Sequence, residues 1–315
     1  MTIRNPNEIL GKEKKIRIII AGYPGIGKST LALSAPRPLH IDADFGIDRI
    51  EARYRAPFIQ PRNYDELLAD LVPENLGDFD TLVFDTGGQL FNLMGMWLIK
   101  KDPKNGRRDG SLSLSGYGAA AREFMRLMDY CFYELNKHLV VVFHAVEEKD
   151  GDDTRLRIKV EGQTKINIWE PMDLGGFMEM QGNERTIGFG NTDRYYGKAT
   201  RAIKGIYKIP ELGPDKPNDF LTRLFEEYTQ KTDEEVKMLE EQRQAYEAVM
   251  AEGQAIIDSI KDVETANAAI PKMRELKHAL TSHQELSYAF NAKIAELNLM
   301  FDRASRQYVP MNQEG

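Results

Sequence analysis

The chain of 315 residues holds one cysteine, Cys131, which excludes an intramolecular disulfide and fits a reducing compartment. Its neighbours Met128, Tyr130 and Phe132 mark that thiol as a packing group and not a nucleophile. No run of about 18 apolar residues occurs, so no membrane-spanning helix is expected. The polar, mixed-charge segment 1–15 also lacks the apolar centre of a secretory leader. A cytoplasmic protein without membrane attachment is the expectation. An excess of positive charge is missing too: 42 Lys and Arg against 49 Asp and Glu give −7. Any nucleic-acid contact must therefore be local. With 42 % hydrophobic and 29 % charged residues, the composition is that of a folded globular chain, long enough for one large domain and an appendage.

One motif dominates what is present. Gly22-Tyr23-Pro24-Gly25-Ile26-Gly27-Lys28-Ser29-Thr30 follows the apolar run Ile16 to Ala21 and precedes Leu31-Ala32-Leu33. Strand, glycine-rich loop and helix fall in the order that a P-loop requires, and the match to G-x-x-x-x-G-K-[ST] is full. The glycines let backbone N–H groups face phosphate oxygens, Lys28 reaches the β- and γ-phosphates, and the Ser29 hydroxyl ligates Mg²⁺. Gly22, Pro24, Gly25, Ile26, Gly27, Lys28, Ser29 and Thr30 are the expected nucleotide cradle.

Apolar runs at Ile16 to Ala21, Pro38 to Asp42, Thr81 to Phe84 and Leu139 to His144 alternate with helical patterns at Ser29 to Ser34, Tyr64 to Leu71 and Tyr117 to Asn136. This alternation predicts a doubly wound, mostly parallel sheet. Arg155 to Val160, and Gly176 to Met180 with Arg185 to Phe189 around the turn signal Gln181-Gly182-Asn183, are expected as antiparallel additions at its edge. After the proline- and glycine-rich stretch Pro210 to Pro217 and a short helix over Asn218 to Tyr228, a boundary is expected near residue 230. The resulting division is an N-terminal polar segment over 1–15, an α/β domain over 16–230 and an all-helical extension over 231–315. In the extension a heptad stripe runs from Val236 through Leu239, Arg243, Tyr246, Met250, Gly253 and Ile257 to Ile260. Pro271 is expected in the first turn of the next helix, and Ser282 caps a third.

Chemistry around the loop requires acidic and polar groups at neighbouring strand ends. Asp85, after Thr81-Leu82-Val83-Phe84, is the candidate second metal ligand beside Ser29. Asp44 is the preferred base for the attacking water, with Asp42 as the alternative, and His144 is the candidate γ-phosphate sensor. Two basic stretches are candidate DNA contacts: Lys100, Lys101, Lys104, Arg107 and Arg108 in one, and Arg194 with the rings of Tyr195 and Tyr196 in the other. Asp85-Thr86-Gly87-Gly88-Gln89 looks like a GTPase switch, but Asn136-Lys137-His138-Leu139 fails the N-K-x-D test for guanine. Arg107-Arg108 is the sole candidate for a kinase lid.

With GYPGIGKST, DADFG, VFDTGGQ, VVVFHAVEE and GFGNTDRYYGKATR in place, the chain resembles the RecA-type ATPase core. More closely, it resembles the phage-encoded AAA nucleotide-binding proteins related to recombinases and single-strand-annealing ATPases. The resemblance covers roughly Ile16 to Tyr207. It implies a RecA-like P-loop fold, an ATPase using ATP and Mg²⁺, single-stranded DNA as partner, and a homo-oligomer in which nucleotide lies between neighbours. The role implied is in phage recombination, replication or repair in the host cytoplasm. Lys28, Asp44, Asp85 and His144 are then the catalytic set, and Lys198 or Arg201 the cation offered to a neighbour's γ-phosphate. Two other readings are a slow nucleotide switch that recruits a protein partner through the C-terminal helices, and a helicase or packaging motor.

Overall fold

The computed structural model describes residues 14–160, 164–200 and 202–311. Residues 1–13 of the expected polar segment, Arg201 and residues 312–315 of the expected extension lie outside them. The apolar run after Lys15 forms β1 (Arg17–Gly22), in which Ile18 and Ile20 join one buried layer and Ile19 and Ala21 the other. Such a strand is apolar without alternation because helices cover both of its faces. Each fully buried isoleucine stabilises the fold by about 1.5–3 kcal/mol.

The chain continues through α1 (Lys28–Ala32), β2 (Pro38–Asp42), the short β3 (Phe58–Ile59), α2 (Tyr64–Asp70), β4 (Thr81–Asp85), α3 (Gly87–Lys101) and α4 (Leu114–Asp129). After a π-helical turn at Tyr130–Glu134 come β5 (His138–Asp150), β6 (Asp153–Ile158), α5 (Thr164–Trp169), β7 (Leu174–Gln181), β8 (Glu184–Gly188) and β9 (Ile206–Lys208). The sheet order is β3-β2-β4-β5-β1-β7-β8-β9, with β6 paired to the outer part of β5. Pairings from β3 to β7 are all parallel, and β8 and β9 follow antiparallel. This is an α/β P-loop NTPase fold. On one face pack Leu67 of α2, Leu90 and Met94 of α3, and Phe124 and Leu127 of α4, together with the fully buried Cys131. On the other face pack Leu31 of α1 and Leu221, Leu224 and Phe225 from the start of α6 (Phe220–Asp258).

Two expectations for this sheet need correction, and one helix was not foreseen. The strand around Gly176 to Met180 is not an edge addition, because β7 is the direct parallel neighbour of β1 and the antiparallel part begins only with β8. The turn Gln181-Gly182-Asn183 does join β7 to β8, but a hairpin signal says nothing about a strand's other neighbour. β5 also runs past His144 to Asp150 before returning as β6. Finally, α3 was not among the expected helices, its start lying in the switch-like stretch Asp85 to Gln89. Thr86 caps the helix by accepting from Gln89 N. A Cβ on Gly87 would stand 2.4 Å from the Phe143 ring, so only glycine allows the helix to start this close to β5.

The chain divides into two compact units, with the change at Lys231 and Thr232. The second holds the rest of α6, then α7 (Val263–Glu275), α8 (Ser282–Glu296) and a hairpin of β10 (Leu299–Asp302) and β11 (Gln307–Pro310). The extension is therefore not all-helical. Its core gathers Val249, Ile257, Ile260, Leu286, Phe290 and Ile294. Of the heptad stripe only Gly253, Ile257 and Ile260 are buried, while Val236, Tyr246 and Met250 are half-buried and Leu239 and Arg243 exposed. The short helix expected over 218–228 is the first part of the 39-residue α6. Pro271 lies inside α7, because Asp262 and Thr265 form a capping box that starts the helix earlier. Thr281, not Ser282, occupies the N-cap position of α8. Among the described residues no helix is long and apolar enough to cross a membrane.

Candidate functional site

The parallel register brings four strand ends side by side. Asp42 of β2 pairs with Asp85 of β4, Asp85 with Val142 of β5, and His144 of β5 with Gly22 of β1. The loop after Gly22 turns through Gly25 and Gly27, at φ 80° and 94°, a left-handed backbone that side chains disfavour. Gly27 is the N-cap of α1 and no side chain caps that turn.

Lys28 is buried, donating from Nζ to the Tyr23 carbonyl at 2.8 Å and lying 3.5 Å from His144 Nδ1. Burial lowers its pKa, while the carboxylates of Asp85 and Asp44 oppose that shift. Burial, and then the Lys28 charge, lowers the pKa of His144, favouring a neutral ring. Asp44 is pushed up by burial and by Asp85, and held back by Arg49, whose guanidinium stands 3.1 Å from Oδ2. Lys28, Asp44, Asp85 and His144 thus form one electrostatic cluster beside the loop.

Asp42 has a different environment. It is fully buried and accepts from Gly46 N at 2.8 Å, Ile47 N at 3.0 Å and Gln60 Nε2 at 2.7 Å. Its carboxylate closes the turn that carries Asp44. Asp85, also buried, accepts no side-chain hydrogen bond among the described residues; His40 Nε2 lies 3.4 Å from its Oδ2 without the alignment of one. The Ser29 hydroxyl makes none either. Two hard, unsatisfied oxygens at the foot of the loop fit Mg²⁺, which takes few protein ligands and completes its shell with water and phosphate. No cluster of three or more His, Cys, Asp or Glu suited to a metal occurs among the described residues.

Next to Asp44 and His144 opens a cavity of about 780 Å³, walled by Thr86, Gln89, Asn92, Glu148 and Lys159 over Phe91 and Tyr117. Gln89, read as part of a switch-like sequence, stands in the first turn of α3 on this wall.

The remaining candidates are scattered. Lys100, Lys101, Lys104, Arg107 and Arg108 are all exposed and form no ion pair among the described residues; Lys101 sits 3.7 Å from the Trp97 ring centre. Tyr195 is 2 % exposed and stacks on Phe177, so it is a core residue and offers no ring to DNA. β-like alternation in this stretch turns Tyr195 inward and Tyr196 outward. Tyr196 is exposed between Arg155 and Arg157, whose guanidinium carbons lie 4.6 and 4.7 Å from its ring centre. Arg194 is paired with Glu179 at 2.7 Å. Lys198 donates to the Glu170 carbonyl and bridges Gly175, the partner of Ile19, three positions before the end of β1. Two side chains were not visible in the sequence as parts of this region: His40, 3.4 Å from Asp85, and Arg185, which reaches Gly27 of the loop. Both lie on strands, where alternation alone does not reveal which polar residue meets a partner from elsewhere in the chain.

Residues 14–201 match the family model described as AAA domain. A comparison with curated proteins gave no match. Among solved structures, the crystal structure of the RadB recombinase is similar, with 10 % identity and a TM-score of 0.37 over 61 % of this chain and 86 % of that chain.

Proposed function

The chain belongs to the AAA domain family, and from that premise we propose that it binds and hydrolyses ATP with Mg²⁺ while acting on single-stranded DNA. The observation that carries the ATPase reading is the cluster at the strand ends: a buried lysine, two carboxylates and a near-neutral histidine gathered beside one glycine loop. In this reading Lys28 holds the β- and γ-phosphates, and Ser29 and Asp85 hold Mg²⁺, which supplies charge neutralisation on the phosphate oxygens. Asp44 takes the proton of the attacking water. Asp42 is unsuited to that role because three donors already occupy its oxygens, whereas the pKa of Asp44 is shifted in the direction a base needs. His144, 3.5 Å from Lys28, senses the γ-phosphate.

DNA contact is proposed for the five exposed cations between Lys100 and Arg108, and for Tyr196 with its flanking arginines. Lys198, and Arg201 outside the described residues, remain candidates for a neighbour's nucleotide in a homo-oligomer. A role in phage recombination, replication or repair follows the resemblance. The recruiter reading draws on exposed Met238 and Leu239 of α6, a surface suited to a protein partner.

ATP turnover measured with and without a single-stranded oligonucleotide at low salt tests the proposal. Stimulation that fades as salt rises is expected. Turnover that ignores the oligonucleotide would contradict DNA action and leave the ATPase standing. Lys28→Ala is expected to abolish turnover in both conditions.

A further inference from the structure

Arg185 of β8 reaches the P-loop: its Nη1 lies 2.7 Å from where a Cβ on Gly27 would stand. The guanidinium forms no ion pair or hydrogen bond among the described residues. The carboxylates that share its clefts or adjoin it on β8 are taken among the described residues: Glu179 by Arg194 at 2.7 Å, Asp219 by Arg223 at 2.9 Å, and Glu184 by Lys208. Arg185 lines two clefts, one with Gly27 and Thr30 and one with Tyr23 and Gly25. A cation kept free of partners against a phosphate-binding loop is placed for an anion.

The sheet order fixes which end of the nucleotide it meets. Lys28 points to His144 on β5, one neighbour of β1, while β7 and then β8 lie on the opposite side. The γ-phosphate end therefore belongs to the β5 side, with Asp44. We infer that Arg185 is a second phosphate-binding cation of this site, acting in cis on the α-phosphate, so that it grips nucleoside di- and triphosphates alike. The inference rests on the P-loop reading above. Because the α-phosphate is common to ATP and ADP, the contact strengthens product binding as much as substrate binding. Gly27 serves it by leaving room for the guanidinium, which a side chain there would displace.

The test uses the full chain, with fluorescent N-methylanthraniloyl ADP and the matching non-hydrolysable ATP analogue as probes. Arg185→Ala is expected to weaken both by the same factor, ~10-fold or more for a lost charge-assisted hydrogen bond, and Arg185→Lys to recover part of it. Its melting temperature without nucleotide should match the wild type, while the stabilisation given by ADP shrinks. If the alanine variant fails to fold, Arg185→Gln carries the same comparison. Wild-type protein that binds neither probe removes the nucleotide site and this proposal together. Wild-type binding that Arg185→Ala and Arg185→Gln leave unchanged overturns the proposal alone. A loss confined to the ATP analogue also overturns it, because the contact would then be to the γ-phosphate.

Discussion

Asp42 and Asp44 stand two positions apart in different surroundings, and substitution separates their jobs. Asp44→Asn is expected to keep nucleotide affinity and slow hydrolysis, by ~100-fold or more for a lost general base. The base works only when ionised, and burial and Asp85 raise its pKa. Activity should therefore fall with decreasing pH at values above the ordinary carboxylate range. Arg49→Ala removes the cation that favours the ionised form, so the acid limb of the pH–rate profile should move further up; a downward move would remove Asp44 from the role. Asp42→Ala instead leaves buried donors without an acceptor, and should cost about 2 kcal/mol or more in a denaturant titration. The tyrosine pair divides in the same way. Tyr195→Ala, a core truncation, should destabilise by about 3 kcal/mol or more. Tyr196→Ala should leave the melting temperature near the wild type and weaken oligonucleotide binding by about 1–3 kcal/mol.

Among the elements, the loops that matter are held by strands from elsewhere in the chain. β5 supplies His144 at its sheet-paired end and then continues with β6 as a ribbon, and α3 begins right behind Asp85. In the second unit, α7 depends on its capping box: Asp262 accepts from Thr265 N at 2.9 Å and the Thr265 hydroxyl accepts from Asp262 N at 3.0 Å. Asp262→Ala should cost about 1 kcal/mol, read as a shift in the unfolding of that unit. Helix starts were legible where a polar cap precedes an apolar pattern, as at Asn63 before α2. They were obscured where glycines needed for close packing, which are poor helix formers, stand in the first turn, as at Gly87. Pro271 misled for a related reason, since proline marks a first turn statistically while the Asp262 cap defined it locally.

For the whole molecule, each unit has its own core. A chain ending after Lys231 keeps Leu221, Leu224, Phe225 and Tyr228 against the sheet. It should retain nucleotide binding measured by fluorescence titration, and lose any partner captured through α6. Loss of nucleotide binding together with a folded spectrum would argue that the second unit contributes to the site. Cys131 reports on the first unit's integrity. Fully buried and pushed up to about 12 by that burial, its thiol should resist alkylation until the sheet opens.

The P-loop, the acidic strand ends and the alternation of strands with helices were determined by sequence alone. Each is a local pattern whose chemistry depends on residues close together in the chain. Tertiary structure decided the rest: that Asp42 is spent on a turn while Asp44 faces the cavity, that Tyr195 is core and Tyr196 surface, that β7 adjoins β1, and that Arg185 lies against Gly27. Apart from the turn closed by Asp42, whose backbone donors are four and five residues on, these are long-range pairings. A strand's order in the sheet, and which of its polar side chains meets a loop more than a hundred residues away, depend on how layers pack, and no short pattern in the chain encodes that.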